Sequence, residues 1–212
     1  MSRPVHSALR TAALALTLVA LAGCGLLPKQ ETVSLYRPEP VVTGDPTWPQ
    51  VAWQLQIARP YADTAHDSAR ILVRPQRGEL QVYKGAAWTQ PAPDLVLDTL
   101  LRAFADSQRL AGVARRGEGV NAEYELLLDL RRFEAEYDGA AAPKAQVVLG
   151  ARLVHNADNR IVASRVFGAE VRSEGSEVAA VNRAFEQGLG EVTAQLIGWT
   201  LNEGRQDTAR KR

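Results

Sequence analysis

The sequence predicts an α+β fold: a mostly antiparallel sheet of about six or seven strands, covered on one face by two helices as a two-layer sandwich. Three observations predict it. Several stretches alternate apolar and polar residues at period two, as half-buried strands do. Two stretches repeat apolar residues at steps of three and four, as a helix with one buried face does. The loop between the last two strands is too short for a parallel crossover. A sheet with one apolar face needs a cover, and two helices supply it.

The elements follow in order. Val33, Ser34, Leu35 and Tyr36 suit a short strand. Trp53, Leu55 and Ile57 alternate with Gln54 and Gln56, which predicts a strand. Residues 70–74 and 79–84 read as a hairpin turning at Pro75, Gln76, Arg77 and Gly78. Asp94, after Pro93, is placed to cap a helix whose Leu97, Leu100, Leu101 and Phe104 share one face. Ala111, Gly112 and Val113 end that helix and enter a short strand. Tyr124, Leu126, Leu128 and Leu130 then alternate with mostly polar partners, and the apolar phase slips to Phe133, Ala135 and Tyr137. A phase slip inside a strand is what a β-bulge produces, which places one near Arg131 and Arg132.

Val147, Leu149, Ala151 and Leu153 form the inner face of the next strand, and residues 155–159 turn it back into 161–171. Ser176 and Glu177 suit the start of the last helix. Its stripe is Val178, Val181, Phe185, Leu189, Val192, Leu196 and Trp199. Gly188 and Gly190 each cost such a helix about 1 kcal/mol against Ala, which suggests close approach to the sheet.

The N-terminus is of another kind. Arg3 and Arg10 precede an acid-free apolar run, residues 11–22, too short for the roughly 20 residues of a membrane-spanning helix. It ends in Leu21, Ala22, Gly23 and Cys24, which looks like a bacterial lipobox. Residues 1–23 are therefore expected to be an export signal cleaved between Gly23 and Cys24, with lipid on the Cys24 thiol. Gly25 follows where an Asp would act as an inner-membrane retention signal in enteric bacteria, so the outer membrane is the expected destination. Residues 24–50 hold Pro28, Pro38, Pro40, Pro46 and Pro49 and read as an extended tether. Residues 51–201 are the domain, and the polar stretch 202–212 reads as a basic disordered tail.

Composition bounds the function. The 212 residues are 46% apolar and 23% charged, which is globular, and the net charge of +1 gives no basic footprint for nucleic acid. Loss of Arg3 and Arg10 with the signal leaves the mature chain near −1. The single cysteine excludes a disulfide framework. No G-x-S-x-G elbow or Walker A loop occurs, and Gly117-Glu118-Gly119 reads as a turn. His66 and His155 fall in polar, loop-like stretches, and Glu134 and Glu136 read as solvated charges on an exposed ribbon. The expectation is no catalytic residue, no metal and no cofactor beyond covalent lipid. Trp88 and Trp48 are the candidate partner anchors, because tryptophan is enriched at binding hot spots.

The order of features resembles the ABC-type transport auxiliary lipoproteins, the PqiC-like family. The lipobox leads. Tyr61-Ala62-Asp63 matches a Tyr-Leu-Asp-like segment, and Ile71-Leu72-Val73-Arg74 matches an Ile-x-Val-Arg strand. Tyr83 and Trp88 come ahead of Pro91, Arg132-Phe133 matches an Arg-Phe pair, and the closing helix carries Ala180, Val181, Asn182, Arg183, Ala184 and Phe185. The resemblance implies a non-catalytic partner of an ABC permease and ATPase and of an MCE-domain protein. Such a subunit would sit on the periplasmic face of the outer membrane, in lipid transport that serves envelope integrity. It is compatible with a homo-oligomer. The other reading of the residues is a lipoprotein accessory to the assembly of outer-membrane or cell-wall components.

Overall fold

The computed structural model describes residues 32–210. In chain order the elements are β1 (Ser34–Tyr36), β2 (Gln54–Ile57), β3 (Tyr61–Ala62), β4 (Arg70–Arg74), β5 (Gln81–Trp88), α1 (Ala92–Ser107), β6 (Gly112–Arg115), β7 (Tyr124–Glu136), β8 (Lys144–His155), β9 (Arg160–Arg172) and α2 (Val178–Arg210). The nine strands form one sheet.

β7 organises that sheet. One of its edges is paired along its whole length with β8, which pairs in turn with β9, both antiparallel. Its other edge is shared by three short strands in succession: β2 from Leu55↔Tyr124, β3 at Tyr61↔Asp129 and β4 from Leu72↔Glu134, all parallel to β7. Beyond them, β6 lies parallel to β2, β5 antiparallel to β4, and β1 parallel to β5.

The predicted bulge is present, because the β7–β8 register shifts between Leu130 and Arg132. It turns Leu130 and Phe133 to the same buried face across an odd spacing. A larger irregularity interrupts β4–β5 between Arg70 and Leu72, where Gly85 takes a positive φ of 68°. Such a conformation is open to glycine at no steric cost.

The core lies between one sheet face and the two helices. α2 packs over β8 and β9, and α1 over β6 and α2. Leu97, Leu100 and Phe104 of α1 are buried, as are Val181, Phe185, Leu189, Val192 and Leu196 of α2. Both stripes therefore face inward as their periodicity requires.

Four expectations need correction. The sheet is mixed, with nine strands, because the chain crosses over through α1 and β2–β4 all climb the same edge of β7. Local pattern sees hairpins but not such long-range parallel pairing. Asp94 does not cap α1: Pro91 is the N-cap, without a side-chain bond, and the Asp94 carboxylate accepts from Arg59 at 2.8 and 3.0 Å.

The third correction concerns the C-terminus, where 202–210 is helix, not tail. Gly204 and Asp207 are buried there, and Asp207 takes hydrogen bonds from Arg160 (2.7 Å) and the Tyr124 hydroxyl (3.0 Å). The fourth concerns the proline-rich tether: Ser34–Tyr36 pair with β5, and Pro38, Trp48 and Pro49 are buried against the fold.

Candidate functional site

The lipidation and cleavage residues, Cys24 and Gly23, lie outside the described residues. The two tryptophan anchors are inside them, and both are buried. Trp88 is 1% exposed, with ring centroids 5.5 Å from Phe133 and 5.2 Å from Phe185. It is the centre of the core between sheet and helix. Trp48 is 7% exposed and lies on α2 at Gly198, where a Cβ would stand 2.7 Å from the indole nitrogen. A tryptophan among prolines looks like surface until the glycine that receives it is identified.

Trp48 belongs to a strap. The Glu39 N–H donates to Glu186 Oε1 at 3.3 Å, the Val41 carbonyl oxygen lies 2.8 Å from where a Cβ at Gly190 would be, and Trp48 and Trp53 pack against Gly198 and Gly204. Chain and helix ascend together, and the helix rises about 27 Å between Glu186 and Gly204. Gly188 alone of these glycines faces the sheet, toward Val147, Val171 and Ala169. The signal in the sequence was the run of glycines in an otherwise strong helix.

On the far side of the sheet, opposite the helices, sits a buried charge network. Glu134 is 0% exposed and accepts from Arg74 Nε (3.0 Å) and Arg132 Nε (2.9 Å). His66, 6% exposed, stands between two carboxylates, with Nδ1 2.9 Å from Asp63 Oδ1 and Nε2 3.4 Å from Glu134 Oε2. Burial pushes the Glu134 carboxyl up, but the nearby His66 imidazole and the hydrogen bonds from Arg74 and Arg132 outweigh it and hold the pKa at about 2. The neighbouring Glu134 carboxylate raises the His66 pKa, burial opposes it, and Asp63 adds to the rise. These groups are therefore neither the solvated ribbon nor the surface histidine the sequence suggested.

Chemically the network is a clamp. Two guanidinium groups and an imidazole converge on the Glu134 carboxylate, and Arg132 also bonds Glu136 at 2.8 Å. It ties the β3–β4 loop and β4 to the bulged part of β7. Among the described residues, no group of three or more His, Cys, Asp or Glu side chains is placed to hold a metal ion. No helix among them is long and apolar enough to cross a membrane.

The residues that carry the family resemblance meet in these two places. Asp63, Arg74 and Arg132 converge on the clamp, while Trp88, Phe133 and Phe185 stack in the core. Arg132 and Phe133, adjacent on β7, serve opposite sheet faces as strand alternation demands. Fold and site together define a structural body whose distinctive residues hold strands together.

Comparison with known proteins gives that body its family. The family model described as "ABC-type transport auxiliary lipoprotein component" matches residues 34–197, and the chain belongs to that family. A crystal structure of protein XCC0632 from Xanthomonas campestris, of the DUF330 family, is 48% identical. It superposes with a TM-score of 0.80, covering 84% of this chain and 99% of its own. Another solved, uncharacterised protein shares the fold at TM-score 0.59 and 15% identity, over 79% of this chain and 97% of that one. An uncharacterised protein of Bradyrhizobium diazoefficiens is 29% identical over 147 residues, 69% of this chain. The chain spans 39% of that relative's length.

Proposed function

We propose that the chain is a non-catalytic subunit anchored by lipid on the periplasmic face of the outer membrane. There it serves an ABC transporter whose MCE-domain protein bridges the periplasm and moves lipid, supporting envelope integrity. The family match over residues 34–197 carries this reading, since it spans the sheet and most of the covering helices. Two further features support it. The Leu21-Ala22-Gly23-Cys24 box supplies a thiol for diacylglycerol and, after cleavage, an amine for a fatty acyl chain such as palmitate. Two or three acyl chains hold a body at a bilayer effectively without release. The clamp spends its charges on strand pairing, so the chemistry of transport falls to the ATPase and permease.

The test is co-purification. The acylated protein, expressed at native level and extracted in mild detergent, should retain the MCE-domain protein and its permease. Repeated recovery without them, while the protein itself fractionates with the outer membrane, would overturn the reading.

A further inference from the structure

On the face of the sheet away from the helices, a groove of about 600 Å³ runs across β3, β7, β8 and β9. The register sets Tyr61, Asp129, Gly150 and Val166 in one row across these four strands. Residues directly opposite one another share a sheet face, so Tyr61 and Val166 form two walls about 14 Å apart, three strand spacings. Both walls are open to solvent, Tyr61 at 72% and Val166 at 50% exposure.

The floor between them is Gly150, and a guanidinium lies on it. A Cβ at Gly150 would stand 3.1 Å from Arg131 Nε and Nη2, so the Arg131 side chain crosses the bare backbone there. Asp129 Oδ2 takes the Arg131 Nε–H at 2.9 Å and holds the group in place. The next row along is Leu127, Arg152 and Ser164. Arg152 is exposed, and among the described residues no carboxylate pairs with it. Gly150 and Arg152, two apart on β8, lie about 7 Å from each other on the same face. Two cations therefore share this groove with one carboxylate, which is already engaged.

We infer that the groove docks an acidic segment of a partner protein. Arg152 and the Nη groups of Arg131 take its carboxylate, and its apolar side chains pack on Tyr61 and Val166. Charge complementarity sets the acid, because the surplus of positive charge is local in a mature chain near −1. The two exposed walls set the apolar flanks. A flat bilayer surface fits less well, because Arg131 lies on the floor between the walls, below the reach of a plane of phosphates. That the segment belongs to the MCE-domain protein rests on the transport reading; the surface and its chemistry do not.

The test is photo-crosslinking of the acylated chain at native level in its own host. p-Benzoylphenylalanine placed at Val166 should give one protein adduct, and placed at Ile161, also exposed but outside the groove, should not give it. Mass spectrometry of the adduct should identify a segment with Asp or Glu beside apolar residues. Arg152→Glu should lower the adduct about tenfold with thermal unfolding unchanged, and Arg152→Gln should lower it less, since a lost charge is milder than a repelling one. Changing the identified acid of the partner to Arg should restore the adduct in the Arg152→Glu background.

No adduct at Val166, an adduct with lipid or with a second copy of this chain, a segment without a carboxylate, or an adduct indifferent to Arg152→Glu would each overturn the inference. The two readings separate cleanly. An acidic segment from a protein other than the MCE-domain protein leaves the groove standing and removes the transport partner. Co-purification of the MCE-domain protein without the Val166 adduct leaves the transport role standing and removes the groove.

Discussion

Single residues on β7 carry two kinds of stabilisation. Phe133 and its neighbours Trp88 and Phe185 are packing, so Trp88→Ala should cost about 3–5 kcal/mol, read from urea unfolding. A loss below about 1 kcal/mol would contradict its place in the core. Arg132 and Glu134, one position to either side of Phe133, are electrostatic, and their pH dependence has a definite sign. Glu134 is held at about 2, so its contribution is present above the ordinary carboxyl range and fades as pH falls toward that value. His66 is raised, so its contribution is complete below the ordinary imidazole range and fades as pH rises through its folded value. The stability gap between the native chain and His66→Gln should therefore be wider at about pH 5 than at about pH 8. A gap that widens with pH would show that His66 is held neutral. None of this was legible locally, because Glu134 reads as one more charge in an alternating strand until β4 and the β3–β4 loop close over it.

Among elements, α2 explains why the helices were easier to read than their surroundings. Its apolar stripe announces the buried face, and the same periodicity runs past Trp199, but a polar composition hid the last turns. Those turns fold because Asp207 bonds Arg160 and Tyr124 across the sheet end. The glycines of α2 also divide by what they meet. A Cβ at Gly188 would reach Val147 and Val171 at 3.5 Å, an ordinary contact. Gly188→Ala should therefore raise stability by about 1 kcal/mol from helix propensity alone. A Cβ at Gly198 would stand 2.7 Å from the Trp48 indole nitrogen, so Gly198→Ala must displace the strap. Limited proteolysis should then cut within residues 39–50 faster than in the native chain, and unchanged cutting would mean the strap is held elsewhere. The β7 bulge, by contrast, was visible in the sequence, because a phase slip leaves a mark wherever one strand face is buried.

For the molecule as a whole, hairpins and helices were legible and the sheet order was not. β7–β8–β9 is a run of local turns. The β2–β7, β3–β7 and β4–β7 pairings join residues some 60 or more positions apart, which no local pattern encodes. At this scale the prediction concerns location. Cys24→Ser should yield a folded chain in the soluble periplasmic fraction, with a circular dichroism spectrum like that of the acylated form. Persistence in the outer-membrane fraction would remove the lipid anchor from the account. The pairing of β1 with β5 also sets a radius. Because Ser34 is already part of the sheet, ten peptide units separate it from Cys24, and a chain that long reaches at most about 35 Å. An acylated Cys24 would thus work as a short leash, with the first strand of the body never farther than that from the lipid it is tied to.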